Sequence, residues 1–161
     1  MATDEHWASY DRAVVDLAPP GARPVRLVPD RRGVTGRWPE GLGSPIVVVT
    51  AWNPDSEVLP DPDNRAAHHR LVADLDRRGV VHWPATGRDP ADDHHEEGVA
   101  VSGLTEDEGV ALGRAHGQAA VYVWTPGAWE VVSCSDARRR VHGWRLVDVR
   151  GGDGSGRDDG P

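Results

Sequence analysis

The sequence contains 161 residues, carries a formal net charge of −8 at pH 7 and has a single cysteine, Cys134. This length fits one domain, a lone cysteine excludes an intramolecular disulfide, and an acidic surface argues against binding to nucleic acid. The N-terminus lacks the basic and apolar regions of a secretory signal, and no apolar run reaches the ~20 residues of a membrane span. We therefore expect a soluble, cytoplasmic protein that binds neither nucleic acid nor membranes.

Apolar periodicity and breaker residues divide the chain into helices and strands. In chain order they predict a helix at 3–17, a strand at 23–28, a loop at 29–44, a strand at 45–51, a helix at 61–78, a strand at 80–83, a loop at 84–97, a strand at 98–102, a helix from 105 to 117, and strands at 119–124, 129–133 and 144–149. The run from Ile46 to Thr50 is continuous and β-branched, which predicts burial on both faces. Residues 1–150 are expected to form a single domain, and the Gly- and Asp-rich residues 151–161 a disordered tail.

The central elements suggest a fold. From the strand at 45–51 to the strand at 119–124, the order is strand, helix, strand, strand, helix, strand. This order is typical of the split βαβ, ferredoxin-like arrangement. We therefore predict an α+β domain in which a ferredoxin-like sheet carries both main helices on one face, with an N-terminal helix in addition. A small three-layer α/β sheet is the alternative.

Several short motifs resemble a known family. They are Thr50-Ala51-Trp52-Asn53-Pro54 after the buried strand, Asn64-Arg65 in the next helix, His95-Glu96-Glu97-Gly98-Val99 before a strand, and Gly117-Gln118-Ala119-Ala120 after a helix. Their order and spacing are similar to those of the bacterial family called domain of unknown function 3293. The resemblance implies a shared fold and a shared polar site, but no activity. Whether Glu96 or Glu97 corresponds to the family's glutamate stays open, because His94 and Gly98 depart from the residues usual around it.

The family-like motifs place polar side chains at the ends of predicted elements, where ligands often bind. The candidate ligand-binding residues are Thr50, Trp52, Asn53, Asn64, Arg65, Glu96 and Gln118. Arg65, near a helix N-terminus, would offer a planar donor fork to a carboxylate or phosphate. The competing interpretation is structural, since Asn before Pro is an ordinary turn residue and Asn64 an ordinary helix cap.

Other clusters carry weaker signals. The histidines at 68–69, 82, 94–95 and 116 lack a recognised metal-binding spacing, so we expect no metal ion and no cofactor. Cys134 has no evident base and reads as a small buried residue. The run Arg138-Arg139-Arg140 reads as a solvated face in an acidic chain.

These residues favour three functional hypotheses. The first is a binding or regulatory domain for a small polar or anionic metabolite, in which Arg65 holds a negative group, Asn53 and Gln118 supply amide hydrogen bonds, and Trp52 forms an apolar wall. The second is a small enzyme with Glu96 as general acid or base beside Asn53 and Arg65. The third is a module that binds a protein partner through an exposed apolar face of the first helix. The sequence does not predict an oligomeric state.

Overall fold

The computed structural model describes residues 2–91 and 93–149, which form eight β-strands and three α-helices. The helices are α1 (Asp4–Arg12), α2 (Asp61–Arg77) and α3 (Glu106–Ala115). The strands are β1 (Val14–Leu17), β2 (Val25–Asp30), β3 (Ile46–Thr50), β4 (His82–Arg88), β5 (His95–Ser102), β6 (Ala120–Thr125), β7 (Ala128–Ser133) and β8 (Arg139–Asp148). The tail predicted at 151–161 lies outside the described residues. No helix within the described ranges is long and apolar enough to cross a membrane.

The eight strands close into one antiparallel barrel in the order β1-β2-β8-β7-β6-β3-β5-β4. Closure is completed by β1, which pairs with β2 on one side and with β4 on the other. Each of these eight strands therefore has two hydrogen-bonded neighbours, and the described part of the sheet has no open edge. The predicted ferredoxin-like fold is wrong, because that fold is an open sheet.

The first difference between the predicted and the observed fold lies near the N-terminus. The helix predicted over residues 3–17 ends at Arg12, since Ala13 has extended backbone angles (φ −59°, ψ 137°), and Val14–Leu17 continues as β1. Val14 and Leu17 therefore belong to a strand and not to the apolar face of a helix. With β1 in place, the strands β6, β3, β5 and β4 become one part of the barrel and do not form a separate sheet.

The predicted loop at 84–97 is also mostly sheet. The strands β4 and β5 pair over seven positions, from His82 opposite Val101 to Arg88 opposite His95. Most side chains near the turn are polar and exposed, because this hairpin extends to the rim of the barrel. Glu96 consequently lies on a strand, where its direction is fixed by the alternation of side chains.

The residues of β3 are buried on both faces, as the continuous β-branched run predicts. Val47 and Val49 face outwards and pack with Leu71 and Leu75 of α2 and Leu112 of α3. The helix α3 approaches closely at Gly109, where an added Cβ would lie 2.7 Å from a methyl group of Val47. Both helices therefore cover the same outer part of the barrel.

The inward residues of β3, Ile46 and Val48, belong to a second core inside the barrel. Near Ile46 this interior is filled by Trp124, Trp129 and Trp144, each 0% exposed. Trp144 donates its indole N–H to the carbonyl oxygen of Thr125 at 2.9 Å. The interior near the opposite end of β3, at Thr50, contains a cavity, and the candidate site lies there.

Candidate functional site

A cavity of about 290 Å³ opens at the end of the barrel marked by Thr50. Its walls come from the inner face of the barrel, the segments after β3 and before β6, the turn between β4 and β5, and α1. The lining residues of the barrel include Val15, Val48, Gly87, Glu96 and Tyr122. Those of the segment after β3 are Trp52, Asn53 and Val58, and those of α1 are His6, Ser9 and Tyr10. The cavity thus combines an apolar wall with a few polar groups.

Asn53 is the centre of a hydrogen-bond network behind this cavity. Its backbone is left-handed (φ 48°, ψ 53°), a conformation that asparagine tolerates better than most residues. Its N–H donates to Oδ1 of Asn64 at 2.7 Å, and its Oδ1 accepts from Nδ2 of Asn64 at 3.0 Å. Asn53 Oδ1 also accepts from the N–H of Leu59 at 3.0 Å. The free end of the network, Nδ2 of Asn53, donates to Oε1 of Glu96 at 3.1 Å.

The strained backbone continues after Asn53. Asp55 (φ 58°) and Ser56 (φ 62°) also have positive φ angles, although neither is a glycine. Such angles cost of order 1–3 kcal/mol each and persist where the surroundings enforce them. The N–H of Asp55 donates to the carbonyl oxygen of Gly117 at 2.8 Å, which ties the segment to the start of β6. The turn therefore holds Asn53 and Ser56 against the cavity.

Glu96, and not Glu97, faces the cavity. Side chains alternate along β5, so Glu96 shares the inner face with Gly98 and Ala100, whereas Glu97 points outwards. The Glu96 carboxylate is also 3.2 Å from Nε2 of His94. Of the two neighbouring glutamates, Glu96 is therefore the one that lines the cavity.

Three further predicted residues line the same cavity: Thr50, Trp52 and Gln118. The Thr50 hydroxyl donates to the carbonyl oxygen of Glu97 at 2.7 Å and accepts from the N–H of Trp52 at 3.0 Å. Gln118 donates to the carbonyl oxygen of Trp52 at 3.0 Å. Trp52 is 7% exposed, and among the described residues nothing accepts a hydrogen bond from its buried indole N–H. The segment after β3 is therefore fixed from both sides.

The remaining two predicted residues do not line the cavity. Asn64 is 2% exposed and supports Asn53 from behind; it is not a helix cap, since α2 begins three residues earlier, at Asp61. Arg65 is exposed on α2. The cation expected to hold an anionic ligand is therefore absent from the wall of this cavity.

The contribution of α1 was not predicted. Arg12 makes two hydrogen bonds to Asp89, at 3.0 and 2.8 Å, and Ser9 donates to the same carboxylate at 3.2 Å. The guanidinium of Arg12 is the main reason that the pKa of Asp89 falls to about 2. Asp11 accepts from Nε2 of His142 at 2.9 Å. These contacts join residues about 80 or more positions apart, so no local sequence signal reveals them.

The pKa values of the two tyrosines that line the cavity are both raised. Burial, followed by the negative charge of Glu96, raises the pKa of Tyr10. The pKa of Tyr122 is also raised, first by burial and then by electrostatic interactions that include the charge of Glu96. Both phenols therefore stay protonated and can donate hydrogen bonds. The ring of Tyr122 stacks on Trp129 with centroids 4.7 Å apart, which fixes its orientation.

The other clusters named from the sequence are the histidines, Cys134 and the three consecutive arginines. Within residues 2–91 and 93–149, no group of three His, Cys, Asp or Glu side chains is arranged to hold a metal ion. Cys134 is 2% exposed, and burial raises its pKa to about 11, which disfavours the reactive thiolate. The three consecutive arginines form ion pairs: Arg138 with Asp4, Arg139 with Glu106 and Glu130, and Arg140 with Asp11.

Comparison with known proteins supports the resemblance indicated by the motifs. Residues 49–121 match the model of a family described as "Protein of unknown function (DUF3293)". This segment runs from the end of β3 to the start of β6 and includes all seven residues predicted from the sequence. No curated protein and no solved structure matches the chain significantly.

Proposed function

We propose that this chain, which matches the DUF3293 family model over residues 49–121, binds a small molecule in the cavity at the mouth of its barrel. The observation that carries the proposal is a cavity of about 290 Å³ that combines apolar walls with the carboxylate of Glu96. Small-molecule sites typically combine apolar surface with a few well-placed polar groups. The ligand would be a compact molecule with an apolar body and a polar end directed at Glu96.

The hydrogen bonds that orient the Glu96 carboxylate favour a role of this residue in binding over a purely structural role. Its carboxylate is oriented by Asn53, and Asn53 is in turn held by the buried Asn64. Such support lowers the entropic cost of binding, because the polar group is already in place. A surface glutamate without a binding role would not need this support from a strained turn and a buried amide.

An enzyme that uses Glu96 is the second candidate. Glu96 lies within hydrogen-bonding distance of both Asn53 and His94, so the geometry required of a general acid or base is present. Arg65, however, does not line the cavity, so it has no role in this enzyme hypothesis. If it holds, Glu96→Gln should abolish turnover of any substrate found while leaving the fold intact, as checked by circular dichroism.

The partner-binding hypothesis rested on an exposed apolar face of the first helix. Trp7 is 3% exposed and packs beside Tyr10, with ring centroids 5.7 Å apart. Arg138 stacks over the same indole at 4.6 Å. The face that motivated this hypothesis is therefore covered by the chain itself.

The proposal is tested by filling the cavity. Gly87 lies on its wall, and a Cβ added there would meet only one atom, at 4.0 Å, so Gly87→Leu places a side chain in open space. Thr86→Leu is the matched control, because the neighbouring residue of β4 points to the outer face. Purified wild type and both variants would be screened by thermal shift against amines, amino acids, nucleosides, sugars and carboxylic acids.

A ligand at 100 times its dissociation constant adds about 2.7 kcal/mol of stability, which for a domain of this size shifts the melting temperature by several degrees. We expect hits with the wild type and Thr86→Leu that disappear in Gly87→Leu. Hits that survive in Gly87→Leu would place the binding site elsewhere and refute the proposal.

A further inference from the structure

The charged side chains around the cavity are unequally neutralised. Arg88 donates to Asp16 at 2.9 Å, and Asp89 is held by Arg12 at 2.8 Å, so these two lining charges already have partners of opposite sign. Glu96 differs from them. Among the described residues its carboxylate contacts the neutral amide of Asn53 and the imidazole of His94, and no arginine lies within ion-pair distance.

The surroundings of Glu96 are aromatic. Tyr10 and Tyr122 line the cavity together with Trp52, and the side chain of Glu96 is 28% exposed. Aromatic faces attract cations, and a carboxylate accepts charge-assisted hydrogen bonds that are roughly twice as strong as neutral ones. Burial is the main cause of the raised pKa of both tyrosines, and the negative charge of Glu96 adds to it.

We propose that the ligand of this cavity is an organic cation, an alkyl or aryl ammonium whose charged nitrogen binds Glu96 and whose apolar body lies against Tyr10 and Tyr122. This inference rests on the proposed binding function and specifies its ligand class. It replaces the anionic metabolite expected from the sequence. An anion placed here would face the carboxylate of Glu96, which has no arginine partner among the described residues, while Arg65, the cation expected to receive it, lies outside the wall.

The cavity volume of about 290 Å³ limits the size of the ligand. It lies at the lower end of the range usual for small-molecule sites, roughly 300–1,000 Å³. A ligand with a short branched or aromatic body would fit, whereas a nucleotide or a long polyamine would extend past α1 into solvent. The ligand class is therefore a small monoamine.

The test compares three probes with the same branched carbon skeleton: 3-methylbutan-1-amine, which is protonated at neutral pH, 3-methylbutan-1-ol, and 3-methylbutanoate. Affinities for the full chain would be measured by NMR titration for the wild type, Glu96→Gln, Gly87→Leu and Thr86→Leu. Glu96→Gln keeps the shape of the side chain and removes its charge, so it separates charge recognition from packing.

We expect the amine to bind at least about tenfold more tightly than the alcohol, and the carboxylate to bind most weakly. Glu96→Gln should remove this preference, Gly87→Leu should abolish binding, and Thr86→Leu should change neither. If the alcohol or the carboxylate binds as well as the amine and Gly87→Leu abolishes that binding, the cation inference is overturned while the proposed binding function stands. If neither the probes nor any compound of the wider screen binds, both are overturned.

Discussion

The buried side chain of Asn64 holds Asn53 in place beside the cavity. Removing this side chain should lower the stability of the folded protein. The substitution Asn64→Ala deletes the acceptor for the N–H of Asn53 and the donor to the carbonyl oxygen of Leu59, at 2.7 and 3.1 Å. A buried polar group without a partner costs about 1–3 kcal/mol, so two such groups at a partly buried site should lower the free energy of unfolding by about 3 kcal/mol. For a domain of this size, that corresponds to a fall in melting temperature of roughly 6–12 °C.

The assay is chemical denaturation followed by tryptophan fluorescence, with Arg65→Ala as the matched control. Arg65 is the next residue of the same helix but is exposed, so its substitution should change stability by less than about 0.5 kcal/mol. If Asn64→Ala is as stable as the wild type, or if Arg65→Ala is equally damaging, the network around Asn53 does not have the role assigned to it.

Three other predictions concern the fold and its pH dependence. Leu71→Ala should cost about 2–5 kcal/mol in urea denaturation, since Leu71 is 0% exposed between α2 and the barrel; a loss below 1 kcal/mol would contradict that packing. Gly98→Ala should destabilise by about 1–3 kcal/mol, because the new Cβ would lie 2.6 Å from the carbonyl oxygen of Val49 and strand pairing prevents relief; wild-type stability would contradict the register of β3 and β5. Asp89, whose pKa of about 2 lies below the ordinary 3.8, stabilises the fold above pH 4, and this contribution is lost as the pH falls towards 2. Asp89→Asn should therefore flatten the stability profile over that interval in acid titrations, and an unchanged slope would contradict the ion pair with Arg12.

The sequence predicts local elements of this fold better than it predicts how they assemble. The burial of β3 on both faces follows from its uninterrupted β-branched residues, and the start of α3 follows from Thr105, whose hydroxyl accepts from the N–H of Glu108. The closure of the sheet does not follow, because it depends on the pairing of β1 with β4, whose residues are about 70 positions apart. A periodicity of four residues cannot distinguish the end of a helix from a short strand.

The candidate site also has one part that the sequence predicts and one part that it does not. Thr50, Trp52, Asn53, Glu96 and Gln118 converge because each lies at or beside the end of a strand, on the same side of the barrel. The contribution of α1 and of Tyr122 could not be predicted, since their positions depend on long-range ion pairs and on barrel closure. Arg65 was misplaced because it follows Asn64 in sequence, yet adjacent helical residues point in directions about 100° apart.

The central claim is that the mouth of the barrel binds a small molecule, and one NMR measurement tests it most directly. In a titration of ¹⁵N-labelled protein with the tightest amine of the screen, we predict shifts of the side-chain amide of Asn53 and the indole N–H of Trp52. The indole signals of Trp124 and Trp144, at the packed end, should move much less. Shifts confined to the surface around Arg65, with Asn53 and Trp52 unmoved, would contradict the account.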